Sequence, residues 1–460
     1  MCAHDQPMTG SATRSDPQRG IPMLFQPLTT VRRTSGAAGL AALVLTSAAN
    51  AQWSATSLHP FGATDSQAFG VDGSQVVGSA FYGSIPIAAI WNDGLNAPID
   101  LRPGGVFGAE VAAAGGGRQV GYIIVSGPPI PQRPRAVVWN GLPSTYVELT
   151  SPVGTAGTRA FGVGGGQQVG ISLFGILSNP QSFASLWSGT AESFVNLHNA
   201  SLMSASFAYA TDGRQQVGAI IKPLNDPSPG NRRAALWTGS AESFVSLHPA
   251  GATDSEAVAV SLGQQVGNIF PANSNNIYAS LWRGTAASWV NLNPPGATSS
   301  EATGVASGMQ VGWAIFDDGT GMDTGNVYAS AWAGTADSWL NLSTFLPAGY
   351  IAAEATGIWT DGLVIKISGF AINTNANDGN GRYEAILWTI TRNGLADIGG
   401  ANQSPWPDGQ RTADDIIVYL GWFFAGDTRA NIAGPDQSTV PDANLTADDI
   451  IVFLGRYFAP

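Results

Sequence analysis

The chain has 460 residues, a formal net charge of −12 and only 11% charged residues, against 58 Gly and 14 Trp. Such a composition suits short strands and tight turns, and it excludes a helical bundle or a disordered chain as the expectation. Lysine occurs only at Lys222 and Lys366, so no basic stripe can neutralise a phosphate backbone, and nucleic acid is excluded as an expected partner.

The first predicted element is an export signal over residues 1–51. Arg32 and Arg33 form a short basic region and Ala37 to Ala49 is small and apolar. Ala49-Asn50-Ala51 fits the small-x-small rule for signal peptidase, so cleavage would leave Gln52 first. The apolar stretch is too short to span a bilayer comfortably, no later one reaches about 18 residues, and no membrane span is expected. The arginine pair resembles a twin-arginine signal, but Thr34-Ser35-Gly36 lacks the bulky residue that usually follows, and an ordinary basic region is the expected reading. Residues 1–22 match no export element and stand ahead of a candidate start at Met23. The single cysteine, Cys2, precedes the cleavage point, so an exported chain would rely on its own core or, in a small terminal module, on metal.

A repeat follows. Trp91, Trp139, Trp187, Trp237, Trp282, Trp332 and Trp388 recur 45 to 56 residues apart, each after a small or apolar run such as Ala279-Ser280-Leu281. A Gln-Val-Gly element precedes most of them, as in Gln119-Val120-Gly121 and Gln310-Val311-Gly312, and the seventh copy reads as a degenerate Gly362-Leu363-Val364-Ile365. Each unit parses into four short alternating runs; in the fifth they are Glu256 to Val260, Gln265 to Phe270, Tyr278 to Trp282 and Ser288 to Leu292. Four strands per unit, seven times over, predict an all-β fold, a seven-bladed β-propeller over residues 52–394.

Side-chain size orders the strands. Alternating small residues such as Ala68/Gly70, Ala257/Ala259 and Ala355/Gly357 mark the run nearest the axis, where only small side chains fit. The Trp run is then third, with each indole between blades and contributing roughly 2 to 3 kcal/mol. Runs of the fourth type begin with Trp53 to Leu58, ahead of the first complete set, so residues 53–58 are expected to close the last blade. The Gly-Gln-Gln-Val-Gly and Ala-Ser-Leu-Trp elements resemble the HAF-type repeats of exported bacterial proteins over roughly residues 53–392, which implies a fold and no chemistry.

Chemistry-bearing candidates on the ring are few. Glu110, Glu256, Glu301 and Glu354 share one register before the small-residue run, and the last three fall in consecutive blades, so they could converge on a cation or a glycan. The same register holds Gln67, Arg159 and Phe207, which points instead to a tolerant, solvated rim. His59, His198 and His248 each follow an outer strand without metal-ligand spacing and read as repeat decoration. Asn373, Asn375, Asn377, Asp378 and Glu384 mimic a calcium loop around Gly379, but mostly with neutral Asn, and a turn-rich hairpin tip is the expected reading.

A second repeat, of period 34, fills residues 395–460. Thr412 to Gly421 matches Thr446 to Gly455, and Asp397-Ile398 matches Asn431-Ile432. Asp408, Gly409, Thr412 and Asp415, with Asp442, Ala443, Thr446 and Asp449, correspond to positions 5, 6, 9 and 12 of a calcium loop that runs into a helix. Thr412-x-x-Asp415 and Thr446-x-x-Asp449 are equally capping boxes. Capping leaves Asp397, Asp408 and Asp442 unexplained, and nine Asp against three Arg in this segment call for a counter-ion. Asp397, Asp408, Asp415, Asp442 and Asp449 are therefore the expected calcium ligands. The segment resembles the GC-type dockerin-like domains of exported planctomycete-type proteins, which implies calcium-loop helices that attach the protein to a partner or the cell surface. It departs from that pattern in its longer Asp397–Asp408 spacing and in ending Ala459-Pro460 where the family ends Gly-Cys. Ile416, Ile417, Leu420, Trp422 and Phe423, with Ile450, Ile451, Leu454 and Phe458, exceed what two short helices can hide in each other.

The expectation is thus an exported, non-enzymatic propeller, secreted or at the cell surface. Its calcium-binding C-terminal module would hold an envelope or extracellular protein, and its rim a glycan or cation. A carbohydrate-active hydrolase or lectin-like protein using Glu256, Glu301 and Glu354, and a purely structural envelope component, are the alternatives.

Overall fold

The computed structural model describes residues 53–459 apart from 84, 93–94, 128–129, 151–154, 176–180, 224, 229, 273, 318–325, 377–380, 439–440 and 443. The export signal expected over residues 1–51 lies outside the described residues, as do Asn377, Asp378 and Gly379.

The sequence of short alternating runs folds into seven four-stranded antiparallel sheets. Six are meanders over residues 65–100, 108–148, 155–196, 205–246, 252–291 and 297–341, here blades 1 to 6. Blade 7 takes three strands from residues 350–391 and its outer strand from Ser54–Ser57, which pairs with Arg382–Thr391. The first strand of each blade contacts that of the next, and Tyr350–Thr360 of blade 7 meets Asp65–Asp72 of blade 1. The ring closes as a seven-bladed β-propeller.

Every first strand carries a β-bulge, in six of the seven at its pair of small residues, for example between Ala68/Gly70, Ala257/Ala259, Ala302/Gly304 and Ala355/Gly357, and in blade 2 between Val111 and Ala113. A bulge bends its strand and presses the preceding carbonyl toward the neighbouring strand. The glycine of Gln-Val-Gly receives it: a Cβ on Gly78, Gly121, Gly170, Gly218, Gly267, Gly312 or Gly369 would stand 1.9 to 2.0 Å from that oxygen. The same geometry corrects the seventh copy, which is Ile367-Ser368-Gly369 rather than Gly362 to Ile365. Ile367 pairs with Trp388 as Gln310 pairs with Trp332, whereas Gly362, at φ +95°, turns the hairpin.

All seven repeat tryptophans are fully buried between blades; Trp282 of blade 5, for instance, packs on Val217, Leu236 and Leu247 of blade 4. Beside five of them lies a buried glutamine. The Oε1 atoms of Gln119, Gln168, Gln216, Gln265 and Gln310 accept the N–H of Gly141, Gly189, Gly239, Gly284 and Gly334 at 2.7 to 2.8 Å. The Nε2 of Gln119, Gln216, Gln265 and Gln310 donates to Gln75, Gln167, Gln215 and Gln264 of the preceding blade. The Gln-Gln pair is therefore a hydrogen-bonded belt between blades.

After the ring come two helices, α1 (Ala413–Phe424) and α2 (Ala447–Phe458), each opened by a capping box from Thr412 or Thr446. Tyr419 and its counterpart Phe453, one period apart, stack in parallel at 3.9 Å, so the duplicated halves pack as near-equivalent partners. Among the described residues no helix is long and apolar enough to cross a membrane.

Candidate functional site

The bulge fixes where the register residues go. Gln67, Glu110, Arg159, Phe207, Glu256, Glu301 and Glu354 each stand just before it, in the first half of an inner strand, one per blade. Their environments differ. Glu110 accepts from Tyr122 Oη at 2.6 Å, and the guanidinium of Arg159 lies 4.8 Å over the Tyr122 ring. Glu256 is ion-paired with Arg232, which also lies over Phe207. Among the described residues Glu301 accepts only from neutral donors, including Asn268 Nδ2 at 2.9 Å, and it feels the like charges of Glu256 and Glu354. Its surface is partly open, yet the protein around it is dense. Burial first, and then the charges of Glu256 and Glu354, push its carboxyl up to about 7. Burial raises Glu354 as well. These two are therefore not freely solvated groups.

The histidines are structural. His59, His198 and His248 meet Ser66, Ser206 and Ser255 through Nδ1 at 2.8 to 3.0 Å. Each serine Oγ in turn accepts a backbone N–H of the preceding blade, from Ala385, Ala184 and Ala234. In blade 6, Asn293 replaces the histidine and pairs with Ser300. Asn373 and Glu384 of the calcium-like loop also bind each other, at 3.0 Å, within a cluster holding the closing strand.

In the C-terminal module the predicted ligands fall into two sets. Asp415 accepts N–H groups from Ile398, Gly399 and Thr412, and Asp449 from Ile432, Ala433 and Thr446, all at 2.7 to 2.8 Å. Both carboxylates tie the preceding loop to the helix N-terminus, where the macrodipole favours them. Asp397 is fully buried and accepts from Asn393 and Asp408 backbone N–H; burial, and then nearby Asp415, push it up to about 6. Asp408 and Asp442 accept from Gln410 and Asn444 two residues on. Among the described residues, no three acidic or histidine side chains lie close enough to share one ion. The long Asp397–Asp408 spacing is taken up by a tight turn in which Asn402 and Gln403 have φ of 59° and 62°, repeated at Asp436 and Gln437.

The module rests on the propeller at the turns between first and second strands of blades 5 to 7, away from the carboxylate register. Trp406 donates from Nε1 to Ser338 O at 2.8 Å and meets Trp53 edge-on at 6.4 Å. Arg392, at the end of the propeller, donates to Gly362 O within it and to Leu395 O and Asp397 O of the module. Most of the expected apolar excess is used internally: Ile416, Leu420, Trp422, Phe423, Ile450 and Leu454 pack on the module core. Ile417, Phe424, Ile451 and Phe458 remain 45%, 79%, 46% and 74% exposed.

No family profile matches the sequence, and no curated protein does. Solved structures with a similar fold include the β-propeller domain of the Trilobed protease from Pyrococcus furiosus, at 10% identity and TM-score 0.46 over 70% of this chain and 95% of that one. An oligogalacturonate lyase from Vibrio parahaemolyticus is 9% identical at TM-score 0.43, over 74% of this chain and 96% of that one. A puromycin hydrolase is 11% identical at TM-score 0.45 over 70% of this chain, which spans about half (51%) of its length.

Proposed function

We propose that the chain is an exported, non-catalytic propeller serving as a binding platform, attached to an envelope or extracellular protein through its C-terminal module. The observation that carries this is the repeated pair of open apolar side chains, Ile417 and Phe424 on α1 and Ile451 and Phe458 on α2, one period apart and all exposed. Apolar groups this open, set two turns apart on each helix, suit burial against a partner.

Calcium is the proposed ion of the module. The excess of aspartate supports it, as does the burial of Asp397 beside Asp415. The first half, with Asp397, Asp408 and Asp415, suits the ion better than the second, where Asn431 replaces the buried aspartate and Asp442 is exposed. In both halves an ion must compete with the backbone donors on Asp415 and Asp449. Calorimetric titration of the full chain with calcium is expected to show binding that Asp397→Asn removes. Binding to envelope preparations is expected to vanish when Ile417, Phe424, Ile451 and Phe458 become Ser, with the melting temperature kept. Calcium-independent behaviour, or envelope binding untouched by those four changes, would sink the respective part.

One observation favours a second reading. A carboxyl raised to about 7, Glu301, stands beside the ion-paired Glu256. Unequal carboxyl environments are what acid–base hydrolysis of glycans uses. Under this reading Glu301→Gln abolishes turnover on a glycan panel. A wild-type chain inert on that panel retires it, and glycan binding unchanged when Glu256, Glu301 and Glu354 all become Gln retires a lectin-like site.

A further inference from the structure

The module does not sit flush on the propeller. Between them lies a cavity of about 310 Å³, at the lower end of the roughly 300–1,000 Å³ typical of small-molecule sites. Leu262, Met309 and Ile365 of the propeller and Leu395, Ile398 and Ile432 of the module give it apolar walls. Three arginines, Arg392, Arg429 and Arg456, also line it.

The three are not equally compensated. Arg429 is paired with Asp427 at 2.7 Å and lies 4.3 Å over the Trp422 ring. Arg392 donates to the carbonyls of Gly362, Leu395 and Asp397, with Asp397 and Asp415 offsetting part of its charge. Arg456 has no ion pair and no side-chain hydrogen bond among the described residues, and it repels Arg392. Asn431 lines the same cavity, and its buried Oδ1 meets no donor among the described residues. A guanidinium left unpaired beside another is costly unless an anion joins them.

The duplication supplies an independent sign. With a period of 34, Ile398 corresponds to Ile432, Leu395 to Arg429 and Trp422 to Arg456. All six line the cavity, so both halves contribute equivalent positions to it. At two of those three positions an apolar residue in the first half corresponds to an arginine in the second. The second half thus brings two positive charges to the cavity in a chain of net charge −12.

We propose that this cavity binds a small organic anion with an apolar body. Arg456 and Arg392 take its acidic group, Trp422, Leu262 and Ile365 its body, and Asn431 Oδ1 a hydroxyl or N–H if it carries one. The ligand bridges propeller and module. The probe for the full chain is 8-anilinonaphthalene-1-sulfonate, compared with N-phenyl-1-naphthylamine, the same rings without the sulfonate. The sulfonate is expected to fill one saturable site per chain. Arg456→Gln should weaken it by about tenfold while changing the neutral dye by less than about twofold, as the loss of a charge-assisted hydrogen bond requires. Arg456→Lys, which keeps the charge without the fork, should fall between, and Leu395→Trp, which fills the space, should remove both dyes. Circular dichroism melts establish that each variant folds. Because Phe424 and Phe458 also attract such dyes, their double Ser variant must keep the site; losing it there would assign the signal to the open helix faces and overturn the proposal. Equal weakening of both dyes by Arg456→Gln, or indifference to Leu395→Trp, would overturn it too.

Discussion

At the scale of single residues, the same substitution has opposite signs in the two parts of the chain. Gly267 faces the bulge carbonyl of Glu256, and a Cβ there would stand 2.0 Å from it. Gly267→Ala is expected to destabilise the propeller by roughly 1–3 kcal/mol or more, because backbone rather than a flexible side chain must move. Gly421 lies inside α1 with nothing within 4 Å of an added Cβ, so Gly421→Ala should stabilise the helix by about 1 kcal/mol. Denaturant titration of both variants checks the pair. The histidines give a second residue-scale prediction. Burial lowers His198 and His248 to about 4 from 6.5, so the unfolded chain binds more protons between those values. Their contribution is fully present above pH 6.5 and is lost as pH falls toward 4. Replacing both by Asn, the residue that blade 6 uses at this position, should leave the melting temperature at pH 7 nearly unchanged and reduce its fall between pH 7 and 5. An unaltered pH dependence would mean the histidines do not carry it.

At the scale of elements, the joint to argue about is the closing strand, because Ser54–Ser57 comes to blade 7 from the other end of the sequence rather than through a short connection, although its four residues exceed the two of each other outer strand. Its side-chain anchor is Glu384, which accepts from Ser57 Oγ at 2.7 Å and Tyr350 Oη at 2.5 Å as well as from Asn373 and Arg382. Although burial opposes it, these hydrogen bonds hold the Glu384 carboxyl down to about 2. Its contribution is therefore complete above the ordinary value of 4.5 and is lost as pH falls from there toward 2. Glu384→Ala should speed amide exchange in residues 54–57 and 386–389 before it affects blades 3 or 4. Uniform acceleration around the ring would show that the anchor is not local. The module helices depend on a different device, the Thr–Asp capping boxes, whose carboxylates also hold the loops in front.

At the scale of the whole molecule, the two repeats had different legibility. The seven tryptophans, the count of four runs per unit and the outer-type run at residues 53–58 are all in the sequence, and the structure has seven sheets with Ser54–Ser57 in the last. The propeller was readable because one physical requirement, large apolar groups between blades and small ones at the axis, recurs in every unit. The seventh Gln-Val-Gly copy was misplaced because its glutamine is gone, and only pairing with Trp388 locates it. The carboxylate register was equally visible, since period alone sets it. Charge was not: nothing in the order of residues says that Arg232 reaches Glu256 while Glu301 is left among neutral donors. Sequence by itself thus determined what strand periodicity and side-chain size dictate, namely the strands, the number of blades and the duplicated helices. Tertiary structure alone decided which carboxylates are paired, that Asp415 and Asp449 are held by backbone donors, and that the module leaves an arginine-lined cavity against the ring. Those depend on contacts between segments far apart in the chain, whose energies come from burial and distance rather than from any local pattern.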